Sequence, residues 1–314
     1  MILCVAGNPS IDRLFEVDRL IPGDIHRPRR FAALAGGKGI HVAQVATALG
    51  SKAVATGILA GHAGRWVLDE LEAEGIRTRF AWSSGETRSS LSVADHETGR
   101  LTEFYESGTW ISIEAWRELE EIVAGLLDDA SWLALAGSLP PGAPPDGYGR
   151  LISAAHRAGV ASALDSRGEA LARSIDDRPQ LVKINAHEAS QLLDRPMSSV
   201  DAARDAARAI HRRAGDSGNA TVITMGEQGI VAIDPAGTAH HARIHARGRY
   251  PVGSGDALLA GLLVALERGD TWPSALALAL GAAAANAESP GAGRLDPARA
   301  RELATQAEMT ELSG

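Results

Sequence analysis

The sequence predicts an α/β fold of three layers, with helices on both faces of a mainly parallel sheet, plus a small β-sheet lid. Apolar runs such as "ILCVAG", "AVATGILA" and "SWLALAG" alternate with segments of helical periodicity. That rhythm is how βαβ units build a parallel sheet. The runs are apolar almost without break, as strands buried on both faces must be. A third observation places the lid. "IDRLFEVDRLIPGDIHRPRRFAAL" and "TRSSLSVADHETGRLTEFYES" break the rhythm, the second as a hairpin turning around His96 to Gly99.

Taken in order, "ILCVAG" is the first strand. "GIHVAQVATAL" follows the first lid segment, with Val42, Val45, Ala46 and Leu49 at helical spacing. "AVATGILA" is a strand, and "RWVLDELEAEG" is a helix stopped by Gly75. "ISIEAWRELEEIVAGLL" aligns Trp116, Leu119, Val123 and Leu126 on one helical face. "SWLALAG", "VASALDS" and "PQLVKIN" are further strands, with the helix "YGRLISAAHRAG" after the first of them. "TVITMGEQGIVAID" is a hairpin, so the sheet ends antiparallel, and three helices close the chain. The expectation is one domain over residues 1–314, its lid drawn from about 11–34 and 86–107.

Charge and composition narrow the function. Of 314 residues, 39 are acidic and 31 basic, a net charge of −8. That balance argues against a nucleic-acid-coating surface but leaves room for a local anion pocket. Cys4 is the single cysteine, so no internal disulfide or cysteine-based zinc cluster can form. The start, "MILCVAGNPSID", has no basic region and its apolar run stops at Gly7, unlike a signal peptide. The longest apolar run, Ala275 to Ala287, is shorter than the ~18 residues a membrane span needs. A cytoplasmic protein is the expectation. There is no HExxH and no GxSxG, and the histidines show no metal-binding spacing.

Candidate chemistry lies where strands end, the ligand edge of an open parallel sheet. "VGSGDALLAGLL" sets Gly253, Ser254 and Gly255 before a helix and Asp256 at its head. Asp256 reads either as a helix cap or as a catalytic carboxylate beside an anion site. "LAGGKGIHVA" turns into a helix through Gly37 and Lys38. It is not a Walker A loop, because Gly39 follows the lysine. Lys38 is one of only three lysines, which hints that a compact ammonium is wanted in that turn. In "KINAHEASQLL", Asn185 and Glu188 have capping-box spacing, or alternatively organise Mg²⁺ and its waters near phosphates. Ser138 in "GSLPPG" is a turn residue or a ligand donor. Arg88, Arg27 and His41 are solvated or core side chains unless a ligand claims them.

The ordered set "NPSID", "AGGKGIHVA", "GETR", "GSLPPG", "LDSRGEAL", "KINAHE", "TMGEQG" and "VGSGDALLAG" resembles the PfkB family of ribokinase-like carbohydrate kinases. The match spans nearly the whole chain, and the branch it looks most like holds 1-phosphofructokinase and tagatose-6-phosphate kinase. The resemblance implies an ATP-dependent kinase with Asp256 as general base and Gly253, Ser254 and Gly255 as the anion hole. It implies that Asp12 and the Gly37–Lys38 turn hold sugar hydroxyls. Arg88, Ser138, and Arg27 or Lys38 would grip a phosphate already on the substrate. Lys183, Asn185 and Glu188 would lie near the ATP phosphates and Mg²⁺, with Glu188 reaching the metal through water. Thr224, Gly226 and Gly229 would line the nucleotide. The lid would cover the sugar and pair with a second subunit.

The chain departs from the family pattern on the sugar side. His41 stands where the family usually has asparagine, at a residue that contacts the sugar. Ser90 replaces an asparagine two positions after the arginine, and "FYESG" replaces "NEPG", keeping Glu106 and Gly108. Arg88 favours a phosphorylated ketohexose: fructose 1-phosphate, fructose 6-phosphate or tagatose 6-phosphate. His41 and Ser90 leave an unphosphorylated sugar or nucleoside open. A third alternative is a silent sugar-phosphate sensor, against which the retained Asp256 argues.

Overall fold

The protein is described by a computed structural model covering residues 1–215, 218–246 and 248–312. In chain order its first strands are β1 (Ile2–Ala6), β2 (Ser10–Val17), β3 (Arg30–Gly36), β4 (Ala53–Ala60), β5 (Arg77–Thr78) and β6 (Ala81–Ser83). Then come β7 (Arg88–Asp95), β8 (Leu101–Tyr105), β9 (Trp132–Ala136), β10 (Ala161–Asp165) and β11 (Leu181–Asn185). The last are β12 (Ala220–Thr224), β13 (Ile230–Ile233), β14 (Ala239–Arg243) and β15 (Glu308–Leu312). The helices are α1 (Lys38–Ala48), α2 (Gly61–Ala73), α3 (Ile113–Ala124), α4 (Gly147–Arg157) and α5 (Gly168–Ser174). They continue as α6 (Ala186–Leu193), α7 (Val200–Arg213), α8 (Ser254–Glu267), α9 (Trp272–Glu288) and α10 (Pro297–Ala304).

The main sheet runs β5-β4-β1-β9-β10-β11-β12-β13-β14-β15, with β6 also paired to β4. Strands from β5 to β12 are parallel, and the last three are antiparallel. Period-two alternation splits β1 between two cores. Ile2, Cys4 and Ala6 pack with α1, α8 and α9, while Leu3 and Val5 pack with α3 and α4 on the other face. This is the three-layer arrangement the strand composition predicts.

Two details differ from the sequence reading. α3 ends at Ala124, so Leu126 lies just past it, partly buried against the same core. The antiparallel end is also longer than one hairpin: β14, "AHHAR", and β15, "EMTEL", extend it, and a strand rather than a helix closes the described chain. Neither carries the β-branched run that marks a strand. β15 is an edge strand, mostly exposed and with two glutamates, the composition that blunts an edge. The long apolar run is α9, covered by α8 on one side and α10 on the other. Among the described residues no helix is long and apolar enough to cross a membrane.

The lid is a separate sheet in the order β3-β2-β7-β8. β2 is antiparallel to β3 and parallel to β7, and β7 turns back antiparallel into β8. Register fixes its two faces. Asp12, Leu34, Ser90 and Tyr105 pair across the strands and share one face. Phe15, Phe31 and Val93, with Arg13, Leu91 and Phe104, share the other. Because the β2–β3 hairpin is spliced between β1 and α1, it delivers Asp12 to the ligand edge of the main sheet.

Candidate active site

At that edge β1, β4, β9, β10, β11 and β12 all end, in register as Ala6 with Ala136, Ala136 with Asp165, and Asn185 with Thr224. Over it sits the start of α8. Gly253 precedes the helix at φ 79°, a left-handed conformation that suits glycine. No side chain caps α8. The cap reading of Asp256 therefore does not hold. Its Oδ2 instead lies 2.7 Å from Nδ1 of His41 on α1. An uncapped helix start, with its N–H groups and dipole, suits an anion.

Asn286 on α9 secures this turn. It is wholly buried; its amide donates to Val252 O at 2.9 Å and Ser254 Oγ at 3.3 Å, and its Oδ1 accepts from Gly293 N at 3.0 Å. Sequence reasoning missed it. The signal was a lone asparagine inside the alanine-rich stretch "GAAAANA", where a buried amide must find partners.

His41 is buried between two carboxylates from different elements. Its Nε2 is 3.0 Å from Asp12 Oδ2, an ion-pair contact with poor hydrogen-bond alignment. Asp12 Oδ1 also accepts from Ser10 Oγ at 2.6 Å and from Ser90 Oγ. A Cβ on Gly36 would fall 2.2 Å from the Asp12 carboxyl carbon, so glycine there makes room for the carboxylate. Burial disfavours the charged imidazole, but the two carboxylates outweigh it and raise the His41 pKa to about 9. Burial likewise opposes ionisation of Asp12, yet His41, Ser10 and Ser90 lower it to about 2.

A second charge cluster lies on the β10–β11 side. Lys38 Nζ donates to Asp165 Oδ1 at 2.7 Å and approaches Glu188 Oε1 at 3.5 Å. Lys183 Nζ donates to Asp165 Oδ2 at 2.6 Å. A Cβ on Gly255 would come within 2.8 Å of Lys183 Nζ, which puts that ammonium against the first turn of α8. Burial alone would lower the Lys38 pKa, but Asp165, Glu188 and Asp256 raise it above the ordinary lysine value. Asp165, with no exposure, is held below the carboxylate range by the two lysines despite its burial. It had no assigned role in the sequence reading. Its signal was an acid ending an otherwise apolar strand, "ASALD".

Asn185 and Glu188 form the capping box of α6: Glu188 N donates to Asn185 Oδ1 and Asn185 N to Glu188 Oε2, both at 2.8 Å. Glu188 Oε1 still faces Lys38, so the cap and a ligand role coexist. Among the described residues no group of three or more His, Cys, Asp or Glu side chains is placed to hold a metal ion. One carboxylate fits a Mg²⁺ that arrives with phosphate and water ligands, not a protein cage. Thr224 ends β12, and Gly226 and Gly229 shape the turn after it, beside Asn185. Ser138 follows β9 and is half-buried.

Arg88 is half-buried; its guanidinium donates to Asn8 O at 3.1 and 3.3 Å and to Glu106 O at 3.3 Å. Burial lowers its pKa, and the Arg167 charge adds to that lowering. Arg167 is thus a cation near Arg88 that the sequence did not single out. Arg27 is not brought in. It is exposed in the β2–β3 loop beyond Glu16, four residues past Asp12, or about 13 Å along the strand. Between the lid and the segments before α8 and after α9 a cleft is lined by Asp12, Leu34, Ser90, Tyr105, Tyr250 and Gly291.

An anion reaching α8 therefore meets helix N–H groups and an ammonium, while the carboxylate at that helix end is turned toward His41 and Asp12. Phosphoryl transfer to an alcohol needs that division: positive charge for the group in flight and a base for the accepting hydroxyl. The fold and this division define an ATP-dependent carbohydrate kinase. The chain belongs to the pfkB family of carbohydrate kinases, whose profile matches residues 2–299. It is 27% identical over 320 residues to a tagatose-6-phosphate kinase of Staphylococcus epidermidis, covering 99% of this chain and 100% of the relative. Phosphofructokinase-2 from Escherichia coli, solved in complex with substrates and products, superposes with TM-score 0.87 at 26% identity over 97% of each chain. A Thermotoga maritima protein described as a possible 1-phosphofructokinase superposes with TM-score 0.91 over all of both chains; at 20% identity that likeness is one of fold.

Two measurements check the electrostatics. Asp165→Asn leaves two ammonium groups without their shared anion and is expected to cost ~3–5 kcal/mol in urea unfolding; a loss below about 1 kcal/mol, the level of a surface pair, would contradict the cluster. The His41 charge contributes stability that is complete below its unfolded pKa of 6.5 and is lost as pH rises through about 9. That contribution is at most roughly 3 kcal/mol. Unfolding free energies at pH 6.5 and 9.5 should fall by that order in the native protein and by less in His41→Asn. Equal losses would contradict the assignment.

Proposed function

We propose that this kinase transfers the γ-phosphoryl group of ATP to a hydroxyl of a phosphorylated ketohexose: fructose 1-phosphate, fructose 6-phosphate or tagatose 6-phosphate. The observation that carries the reading is Asp256, a buried carboxylate at an uncapped helix start, turned toward His41 instead of capping. The half-buried Arg88 below the lid, and relatives named for phosphorylated ketohexoses, support a substrate that already bears a phosphate.

In this reading the sugar lies in the cleft under the lid, with Asp12 and the Gly37–Lys38 turn on its hydroxyls. Arg88, Arg167 and Ser138 are the local donors for its phosphate. The accepting hydroxyl gives its proton to Asp256 as its oxygen bonds to the γ-phosphorus. The bond from that phosphorus to the β–γ bridging oxygen breaks, and the electron pair leaves with ADP. Gly253 and Gly255 hold the phosphoryl oxygens through backbone N–H groups, while the Ser254 N–H donates to Pro251 O at 3.2 Å and steadies the turn. Lys183 adds positive charge, and Thr224, Gly226 and Gly229 line the nucleotide. Glu188 would hold Mg²⁺ through water, and the metal would supply further charge neutralisation.

The lid face opposite Asp12 supports a homodimer. It presents Phe31 and Phe104, exposed by 56% and 58%, beside Phe15 and Leu91. Pairing two such faces would cover aromatic surface that one chain leaves in water.

ADP release, measured across phosphorylated ketohexoses and free sugars, tests the substrate. Turnover of a ketohexose phosphate is expected, and turnover confined to free sugars or nucleosides overturns the reading. With that substrate, Asp256→Asn should lower kcat by at least ~10². Near-normal kcat would remove Asp256 from the chemistry.

A further inference from the structure

The strongest unexplained feature is His41, a fully enclosed imidazole that bridges the lid and α8. Nδ1 meets Asp256 Oδ2 at 2.7 Å and Nε2 meets Asp12 Oδ2 at 3.0 Å. A neutral imidazole donates from one nitrogen only, so in that state it would turn a lone pair on one of the two carboxylates. Only the doubly protonated ring presents a proton to each. Both carboxylates are otherwise like charges converging on one buried place, which needs a cation between them.

We propose that His41 is a positioning residue, an imidazolium that ties the sugar-binding carboxylate Asp12 to the base Asp256 and holds that base in place. It rests on the kinase reading above. The ring holds Oδ2 of Asp256, which leaves Oδ1 to take the hydroxyl proton and fixes the plane of the carboxylate. A sugar hydroxyl donating to Asp12 weakens that carboxylate's share of the imidazolium, so the ring's hold on Asp256 changes when substrate binds. The bridge thereby couples occupancy of the sugar site to readiness of the base.

The surroundings isolate the ring from other titrating groups. From β2 it faces Asp12, and from α8 it faces Asp256. On its own helix Lys38 is paired with Asp165 and Glu188, and its charge also acts on Asp256. Gln44, also on α1, is neutral and donates to Glu74, which is paired with Arg294. The segment after α9 presents Gly293, whose N–H is held by Asn286. On β7, Ser90 is neutral and Arg88 is bound to carbonyls. A raised pKa, about 9, agrees with the charged state at neutral pH.

The test is the pH profile of kcat/KM for the native enzyme and His41→Asn. The native enzyme should lose activity on the alkaline side near the His41 pKa. In His41→Asn that limb should disappear or move by at least about one pH unit. A variant with lower activity but an unmoved alkaline limb would reduce His41 to packing and overturn the proposal. Should the variant not fold, ¹⁵N NMR of the native protein decides. Both His41 nitrogens should carry protons at pH 7, with titration well above 7; a neutral single tautomer at pH 7 overturns it. This arm needs no turnover. Failure of every sugar phosphate in the ADP assay would sink the substrate reading and leave the imidazolium to be judged by NMR alone.

Discussion

The contact of one imidazole with two carboxylates fixes the relation of three elements. His41 is on α1, Asp12 on the lid strand β2 and Asp256 in the first turn of α8. The lid is hydrogen-bonded as a sheet of its own; Ile11 and Ala35 pack it into the main core, and the His41 bridge adds a polar tie from its strand β2 to α8. Without a cation at that point, Asp12 and Asp256 would face each other as like charges. The chemistry depends on the same geometry, because a base must sit within hydrogen-bond reach of the hydroxyl that it deprotonates.

On the other flank, Asp165 plays the converse part. It is an anion that lets two lysines remain at the sheet edge, one leading into α1 and one ending near α8. Positive charge then lies where phosphate would enter and negative charge where an alcohol would enter. The separation is cheap to maintain, since each buried charge has an opposite partner and the helix dipole adds to the positive side. Asn286 completes it by holding the loops on both sides of the α8 turn with one amide.

The strand-and-helix rhythm made the main sheet legible, because strands buried on both faces must be apolar and helices must show their period. β14 and β15 were not legible. Their residues, "AHHAR" and "EMTEL", gain strand structure from a neighbour's open edge and not from their own pattern. Motif residues pointed to the site but not to its wiring. Asn185 and Glu188 were correctly spaced for a capping box, and they form one. Asp256 read as a possible cap, but α8 begins at Ser254 with Gly253 at the cap position, and the Asp256 carboxylate meets a histidine 215 positions earlier. No local spacing can encode that. Asp165 and Asn286 were hidden for a similar reason: a single acid at a strand end and a single amide in an alanine run become meaningful only when the partners they hold are known.

The most direct test of the account is a structure of the protein with a phosphorylated ketohexose and a non-hydrolysable ATP analogue. The account predicts a sugar hydroxyl within about 3 Å of Asp256 Oδ1, the terminal phosphate against the N–H groups at the start of α8, and His41 still bridging Asp12 and Asp256. A sugar phosphate seated away from Asp256, or Asp256 swung back to cap α8, would contradict it.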